Sequence, residues 1–166
     1  MTEKRNERAK LSEQEIVRKE KMAKLAEEGI ELFPHKIEAT HSVYEVVSEY
    51  AEVSKEELED QKVKVYVPGR IISIRNMGRA VFFHIADSQA KLQIYLREDH
   101  LGKKQFGLFS FLDIGDIIAV KGELFKTRTK ELTVLAASFI FLAKCLHPLP
   151  EKWHGLQDVE LRFRKR

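Results

Sequence analysis

The sequence predicts a mainly β fold, a small five-stranded barrel that follows an α-helical extension. In segments 81–86 and 91–96, bulky apolar side chains recur at every second position. That period is typical of strands with one face in a core and the other in solvent. Strand patterns also precede and follow this pair, whereas residues 13–60 carry serine capping motifs and helical periodicity.

With 166 residues, 43% hydrophobic and 33% charged, the chain has room for one soluble domain and an appendage. The single cysteine, Cys145, excludes a disulfide within the chain and favours a reducing compartment. We expect it to be a small buried side chain near a strand end. No apolar secretory signal follows the charged start, and the longest apolar run, 132–143, is short of the roughly 20 residues of a membrane helix. We therefore expect a cytoplasmic protein with no membrane partner.

Charge is distributed unevenly along the chain. Residues 1–60 hold 10 Lys and Arg against 16 Asp and Glu, a net charge of −6. Residues 61–166 hold 19 against 10, a net charge of +9. A basic module behind an acidic helical segment favours a polyanionic partner for the module.

The first predicted helix covers residues 13–28. Ser12 and Glu15 fit a capping box, and Gly29 is suited to end the helix. Its apolar stripe is thin, so the helix is marginal on its own. We expect it either to stand as a solvated strut or to lie against another subunit or RNA.

Two shorter helices are predicted before the barrel. Ser42 and Glu45 form a capping box ahead of an apolar stripe at positions 43, 46, 47 and 50, which is enough to dock on the barrel. Ser54 and Glu57 fit a second capping box around one further helical turn.

The barrel strands begin near Lys62. Pro68 and Gly69 lie inside the long first strand and predict a bulge or sharp bend there. Turns at 76–78 and 87–90 lead into the second and third strands.

A phenylalanine-rich segment, 101–112, predicts a short helix that closes one end of the barrel. The fourth and fifth strands follow at 117–125 and 131–142 and are joined by a basic loop, 126–130. Three strands, a helix and two strands are the arrangement of an OB-fold, a five-stranded barrel whose second and third strands bind oligonucleotides.

No catalytic chemistry is indicated. The chain has no glycine-rich phosphate loop and no pattern that assembles a nucleophile, a base and an oxyanion site. Its six histidines lack the spacing of a metal site, and Cys145 has no second thiol to join it. We therefore predict no catalytic residue, no metal and no cofactor in this segment.

The outward faces of the second and third strands predict a base-binding surface. Phe82 and Gln93 share that face, so a base could slot between a phenyl ring and an amide plane. Arg75, near the end of the first strand, and Glu131, at the start of the fifth, could read polar base edges. His84 lies on the same face and is either an RNA contact or a bystander. An exposed Phe82 is also compatible with simple cross-strand packing.

Four basic residues in turns are candidates for phosphate contacts, which would make binding depend on salt. They are Arg79, Lys126, Arg128 and Lys130.

Seven motifs can be compared with known families: GR at 69–70, RNMGRAVF at 75–82, KLQIY at 91–95, LDIGDII at 112–118, GELFKT at 122–127, EL at 131–132 and HPLPEKWHGLQDVELRFRKR at 147–166. On these motifs the chain resembles the anticodon-binding domain of class IIb aminoacyl-tRNA synthetases, most closely the bacterial lysine-specific members. The resemblance covers nearly the whole chain and is weakest over the first dozen residues.

The resemblance implies roles for single residues. Phe82 matches the ring that stacks on the central uridine of a UUU-type anticodon, and Gln93 matches the amide on that base's other side. Arg75 and Glu131 match positions that hydrogen-bond anticodon bases. The implied partner is the anticodon stem-loop of tRNA-Lys. Pro68 departs from the small residue common there, which bears on turn geometry more than on binding.

The resemblance also implies the organisation of the whole protein. Residues 1–60 would be a helical extension, 61–145 the OB-fold domain, and 146–166 a linker into a catalytic domain that would follow Arg166. The full-length enzyme would attach lysine to its tRNA with ATP and magnesium, and would be a homodimer. This segment alone would recognise the anticodon without aminoacylating it, as a monomer or a weak dimer.

Other readings stay open at this point. An aspartyl or asparaginyl enzyme of the same class would use the same stacking face, because all of them read a central uridine. A free-standing OB-fold that binds single strands without sequence preference is a second alternative. A module that serves dimerisation only is a third, and it would leave the basic, aromatic sheet face without a task.

Overall fold

The structure is a computed structural model that describes residues 13–147. The predicted capping residue Ser12 and nearly all of the predicted linker, 146–166, lie outside the described residues. In chain order the elements are α1 Glu13–Glu27, α2 Val43–Tyr50, α3 Lys55–Gln61, β1 Lys64–Asn76, β2 Ala80–Ala86, β3 Lys91–Arg97, α4 Glu98–Leu101, α5 Lys103–Leu108, a 3₁₀ turn Phe109–Phe111, β4 Ile117–Lys126 and β5 Leu132–Ala143.

The strands form one closed barrel in the order β1-β2-β3-β5-β4. Neighbouring strands are antiparallel except for β3 and β5, which run parallel. Strand β1 reaches both neighbours because its first half, to Arg70, pairs with β4 and its second half, from Arg70, pairs with β2. The predicted class, an OB-fold barrel with helices before the strands, is confirmed.

Of the bulge or sharp bend predicted at Pro68 and Gly69, the bulge is wrong. These two residues pair regularly with Ala119 and Ile118 of β4, and no strand pairs with the other edge of β1 there, so the missing proline N–H costs no ladder bond. Gly69 is small for a different reason, because a Cβ at this position would lie 2.9 Å from Cβ of Ile85. The irregularity falls instead between Ile71 and Ser73.

Both short helices dock on the barrel, and both begin with the caps that the sequence predicts. The capping boxes of Ser42 with Glu45 and of Ser54 with Glu57 are both formed. The apolar side chains that these helices place against the barrel are completely buried: Val43, Val46 and Leu58.

The turn between β2 and β3 helps to hold α2. Oδ2 of Asp87 accepts a hydrogen bond of 2.8 Å from the backbone N–H of Tyr44, and Oδ1 accepts from Gln89 and Ala90. Burial alone would raise the pKa of Asp87, but these backbone donors outweigh it and lower the pKa.

At one end of the barrel, a buried lysine that directly follows β5 binds the segment between the 3₁₀ turn and β4. Nζ of Lys144 lies 2.7 Å from Oδ2 of both Asp113 and Asp116 and donates to the carbonyl of Phe111. The side chains of Lys144 and Asp116 are fully buried. Buried charges are tolerated when they are paired and hydrogen-bonded, as they are in this group.

Helix α1 packs against this same end of its own barrel. Lys21 donates to Oδ1 of Asp113 at 2.6 Å, and Arg18 donates to the carbonyls of Ile114 and Cys145. The helix is therefore not a solvated strut, because it contacts the barrel of its own domain. Cys145 follows β5 as expected but is partly exposed, so the predicted burial is wrong; its N–H donates to Asp116, which sets the backbone position.

Within residues 13–147, no helix combines the length and the apolar character needed to cross a bilayer.

Replacement of Gly122 should destabilise the barrel. A Cβ there would lie 2.2 Å from the carbonyl oxygen of Leu135 on β5, so Gly122→Ala should lower the free energy of unfolding by about 2–3 kcal/mol. Gly107→Ala is the matched control because nothing lies within 4 Å of that Cβ and alanine favours helix, so it should stabilise by up to ~1 kcal/mol. Urea denaturation measures both; equal effects of the two variants would contradict the prediction.

Asp113 should make stability depend on pH. Burial alone would raise its pKa, but Lys144 and Lys21 outweigh this and hold the pKa below the usual 3.8. A carboxyl group with a lowered pKa stabilises the fold above its unfolded pKa, and this contribution is lost as the pH falls through the folded value. Asp113→Asn should therefore lower the free energy of unfolding by about 1–3 kcal/mol at pH 7, and the difference from the parent should shrink below about pH 4.

The control is Asp60→Asn, at an exposed position on α3. It should change the free energy of unfolding by less than about 0.5 kcal/mol at pH 7, and a pH-independent effect of Asp113→Asn would contradict the role assigned to Asp113.

Candidate nucleic-acid interface

The outward face of β2 and β3 consists of cross-strand pairs. The antiparallel register sets Phe82 opposite Tyr95 and His84 opposite Gln93. The rings of Phe82 and Tyr95 stack with their centroids 4.2 Å apart and their planes 12° from parallel. Tyr95 therefore supports one face of the Phe82 ring, a role that the sequence analysis did not assign to it.

A bulge in β1 turns two more side chains toward this face. Ile71 is buried and Ile74 packs against the core, yet these residues are three apart, an odd spacing that regular alternation does not allow. The register shift between Ile71 and Ser73 absorbs the extra residue, so that Ser73 pairs with His84 and Arg75 with Phe82. The spacing of the two isoleucines is the signal in the sequence that could have located the bulge.

Closure of the barrel brings the Glu131 carboxylate to this face. Strand β5 runs parallel to β3 with Thr133 opposite Gln93, so Glu131, which directly precedes β5, reaches the β3 side chains. Nε2 of Gln93 donates to Oε2 of Glu131 at 2.9 Å, and the Thr133 hydroxyl lies 2.8 Å from Oε1 of Gln93. Both ends of the Gln93 amide are held, which fixes its plane.

His84 completes a chain of polar contacts. Its Nε2 lies 2.9 Å from Oε1 of Glu131, and its Nδ1 lies 2.9 Å from the hydroxyl of Ser73. The chain thus runs across four strands or strand ends, from Ser73 through His84, Glu131 and Gln93 to Thr133.

The side chains of Ser73, His84, Gln93 and Glu131 line one open groove of about 910 Å³. The groove has an aromatic wall, the amide and carboxylate just described, and two guanidinium groups. Neither Arg75 nor Arg128 forms an ion pair with another described residue. The predicted site residues that line it are Arg75, Phe82, His84, Gln93, Arg128 and Glu131. The remaining lining residues were not predicted: Ser73, Ile74, Met77, Thr127 and Thr129.

The β4–β5 loop that carries Arg128 is internally bonded. The Thr127 hydroxyl accepts from the backbone N–H of Glu131 at 3.1 Å and contacts the hydroxyl of Thr129 at 3.0 Å. Lys130 takes a left-handed φ of 63°, which lets the chain reverse into β5. The loop is therefore shaped before any ligand binds.

Three predicted phosphate contacts lie away from the groove. Arg79 lines a neighbouring hollow beside Tyr95, where it faces Glu98 at 3.5 Å. Lys130 is exposed outside the groove lining. Lys126 points to the other side, and its Nζ donates to the carbonyl of Ala51 at 2.7 Å. The turn positions alone did not show these directions, because long side chains follow their nearest partners.

Residues 13–147 contain no group of three or more His, Cys, Asp or Glu side chains that could hold a metal ion. The groove instead combines a stacking surface with donors and acceptors, which is the chemistry of recognising unpaired bases.

Comparison with known proteins agrees with this chemistry. Residues 65–142 match the family of OB-fold nucleic acid binding domains described as tRNA anti-codon. Residues 65–142 belong to this family of anticodon-binding domains.

Over nearly its whole length the chain is similar to lysine–tRNA ligases. It is 46% identical to that of Bacillus mycoides (strain KBAB4) over 156 residues, which are 94% of this chain and 31% of the relative. It is 43% identical to that of Bacillus subtilis (strain 168) over 166 residues, 100% of this chain and 33% of the relative. These relatives are enzymes, and the chain spans about a third of their length.

Salt dependence should separate Arg128 from Lys126. For an RNA hairpin with an unpaired loop, Arg128→Gln should reduce the slope of log Kd against log salt concentration by about 0.7, because one cation near the strand is lost. Lys126→Gln is the matched control and should leave the slope unchanged, because the bond to the Ala51 carbonyl holds its ammonium group away from the groove. Titrations at several salt concentrations measure both; a larger change for Lys126 would contradict the placement.

Proposed function

We propose that this domain reads the anticodon of tRNA-Lys, with a UUU-type sequence, as the anticodon-binding part of a lysine–tRNA ligase. The observation that carries the proposal is the convergence of Phe82, Gln93, Arg75 and Glu131 on one groove. The groove lies in an anticodon-family domain, and the chain is 46% identical over 156 residues to the lysine–tRNA ligase of Bacillus mycoides (strain KBAB4), which supports the choice of tRNA.

The groove suits uracil by its hydrogen-bonding pattern. A uracil edge offers one N3–H donor and two carbonyl acceptors. The Glu131 carboxylate can only accept and the Arg75 guanidinium can only donate, so the two are complementary to that edge. The central base would lie against the free face of the Phe82 ring, with the Gln93 amide on its other side. Arg128 would neutralise a phosphate of the loop.

We propose the remaining functions from the relatives' name and from the family resemblance. The whole protein would attach lysine to its tRNA in the cytoplasm, with ATP and magnesium as cofactors, and would act as a homodimer. The chain spans about a third of the relatives' length, so catalysis would belong to the part of the relatives that this chain does not cover.

Binding of two anticodon stem-loops tests the proposal. The domain should bind a stem-loop with UUU more tightly than one with GUC, because the flanking bases differ while the central uridine is shared. Phe82→Ala should weaken binding to both by roughly 1–3 kcal/mol, since the shared base loses its stacking surface. Phe33→Ala, at a phenylalanine that is exposed outside the groove, is the matched control and should change neither affinity.

Fluorescence titration of the two stem-loops and of an unstructured RNA measures these affinities. Equal binding to all three would leave a general single-strand binder and reject the anticodon assignment. A preference for GUC would favour an aspartate-type reader.

A further inference from the structure

We propose that His84 is a positioning residue that aims the Glu131 carboxylate at the base, and that it does not itself read a base. Ser73 would orient the histidine, so that the pair acts on recognition only through Glu131. The inference rests on the proposed function of the groove and concerns how its specificity is set.

Both ring nitrogens of His84 are already occupied. Nε2 faces Oε1 of Glu131 and Nδ1 faces the Ser73 hydroxyl, each at 2.9 Å. A carboxylate can only accept, so Nε2 carries the hydrogen. In the neutral ring Nδ1 then accepts from the Ser73 hydroxyl, which selects this tautomer. Only 24% of the His84 side chain is exposed, and no polar atom of the ring is left over for a base.

Three elements of the fold hold this histidine in place. Strand β2 places His84 between its antiparallel partners Ser73 on β1 and Gln93 on β3. The bulge in β1 is what turns Ser73 outward; regular alternation from the buried Ile71 would place Ser73 inside the barrel. The contact between Ser73 and His84 therefore depends on a specific irregularity of the sheet.

Glu131 is the group that needs positioning. It lies at the end of a loop and its side chain is 45% exposed, so it would sample several rotamers without partners. His84 holds Oε1 and Gln93 holds Oε2, which leaves the second lone pair of each oxygen available to a base. An acceptor held in place before binding loses less entropy when the base arrives.

The contacts of Glu131 with His84 and with Gln93 also couple His84 to the stacking site. Because Gln93 donates to the same carboxylate, a displaced Glu131 would release one end of the Gln93 amide. Loss of His84 should therefore weaken discrimination at the base that Glu131 reads and loosen the amide on the central base.

A double-mutant cycle tests whether His84 acts through Glu131. The probes are UUU stem-loops in which each anticodon position is replaced in turn. His84→Ala should weaken UUU binding about 10-fold, the size of one charge-assisted hydrogen bond, and should reduce discrimination at the same anticodon position as Glu131→Ala. In the Glu131→Ala background, His84→Ala should have no further effect, because no carboxylate is left to position.

Variants of the same chain separate positioning from general damage. His84→Gln keeps a donor toward Glu131 and should restore part of the lost discrimination. Ser73→Ala should reduce discrimination at the same position by a smaller factor. His100→Ala, an exposed histidine on α4 outside the groove, is the control for loss of a ring and should have no effect.

A measurement without RNA keeps this inference distinct from the proposed function. In the free protein, His84→Ala should shift or broaden the NMR signals of the Gln93 side-chain amide, and Glu131→Ala should do the same, while His100→Ala leaves them in place. If wild type fails to distinguish anticodons but these shifts occur, the proposed function fails and the positioning contact stands.

Two results would overturn the inference. One is an equal loss of affinity on His84→Ala with and without Glu131, which would make the histidine an independent base contact. The other is a Gln93 amide signal that does not respond to His84→Ala, which would mean that the histidine does not hold the carboxylate.

Discussion

The groove depends on one closure contact, the parallel pairing of β3 with β5. That pairing sets Thr133 against Gln93 and carries Glu131 to the same amide, although these residues are about 40 positions apart in the chain. Gly122 on β4 allows β5 to approach closely enough for the barrel to close. Because the carboxylate and the amide come from strands that meet only at the closure, the groove exists only in the complete barrel.

A second constraint acts inside β1. The bulge between Ile71 and Ser73 changes which face the second half of the strand presents, and so supplies both Ser73 and Arg75 to the groove. Pro68 and Gly69 attracted the prediction of a bulge because those residues often mark one. In this fold Pro68 pairs with β4 where the other edge of β1 has no strand partner, and Gly69 avoids Ile85, so local residue type pointed to the wrong position.

The charged residues of the domain have two separate roles. Lys144, Asp113 and Asp116 are paired at the end of the barrel that α1 contacts, where they hold α1 and the segment after β5 to the core. Arg75 and Arg128, in the groove, lack ion-pair partners among the described residues and so stay available to a polyanion. Stability and recognition therefore rest on different ionic groups, and substitutions in one set should leave the other largely unaffected.

The sequence by itself determined the order of elements, the two serine caps within the described residues and the outward faces of β2 and β3. Those features follow from spacing within a single segment, since period-two alternation and capping are local. Only the tertiary structure decided that Tyr95 supports Phe82, that Lys126 turns to Ala51 while Arg128 enters the groove, and that Glu131 joins His84 and Gln93. These outcomes depend on register across the closure and on the nearest partner of a long side chain, and both arise from residues distant in sequence.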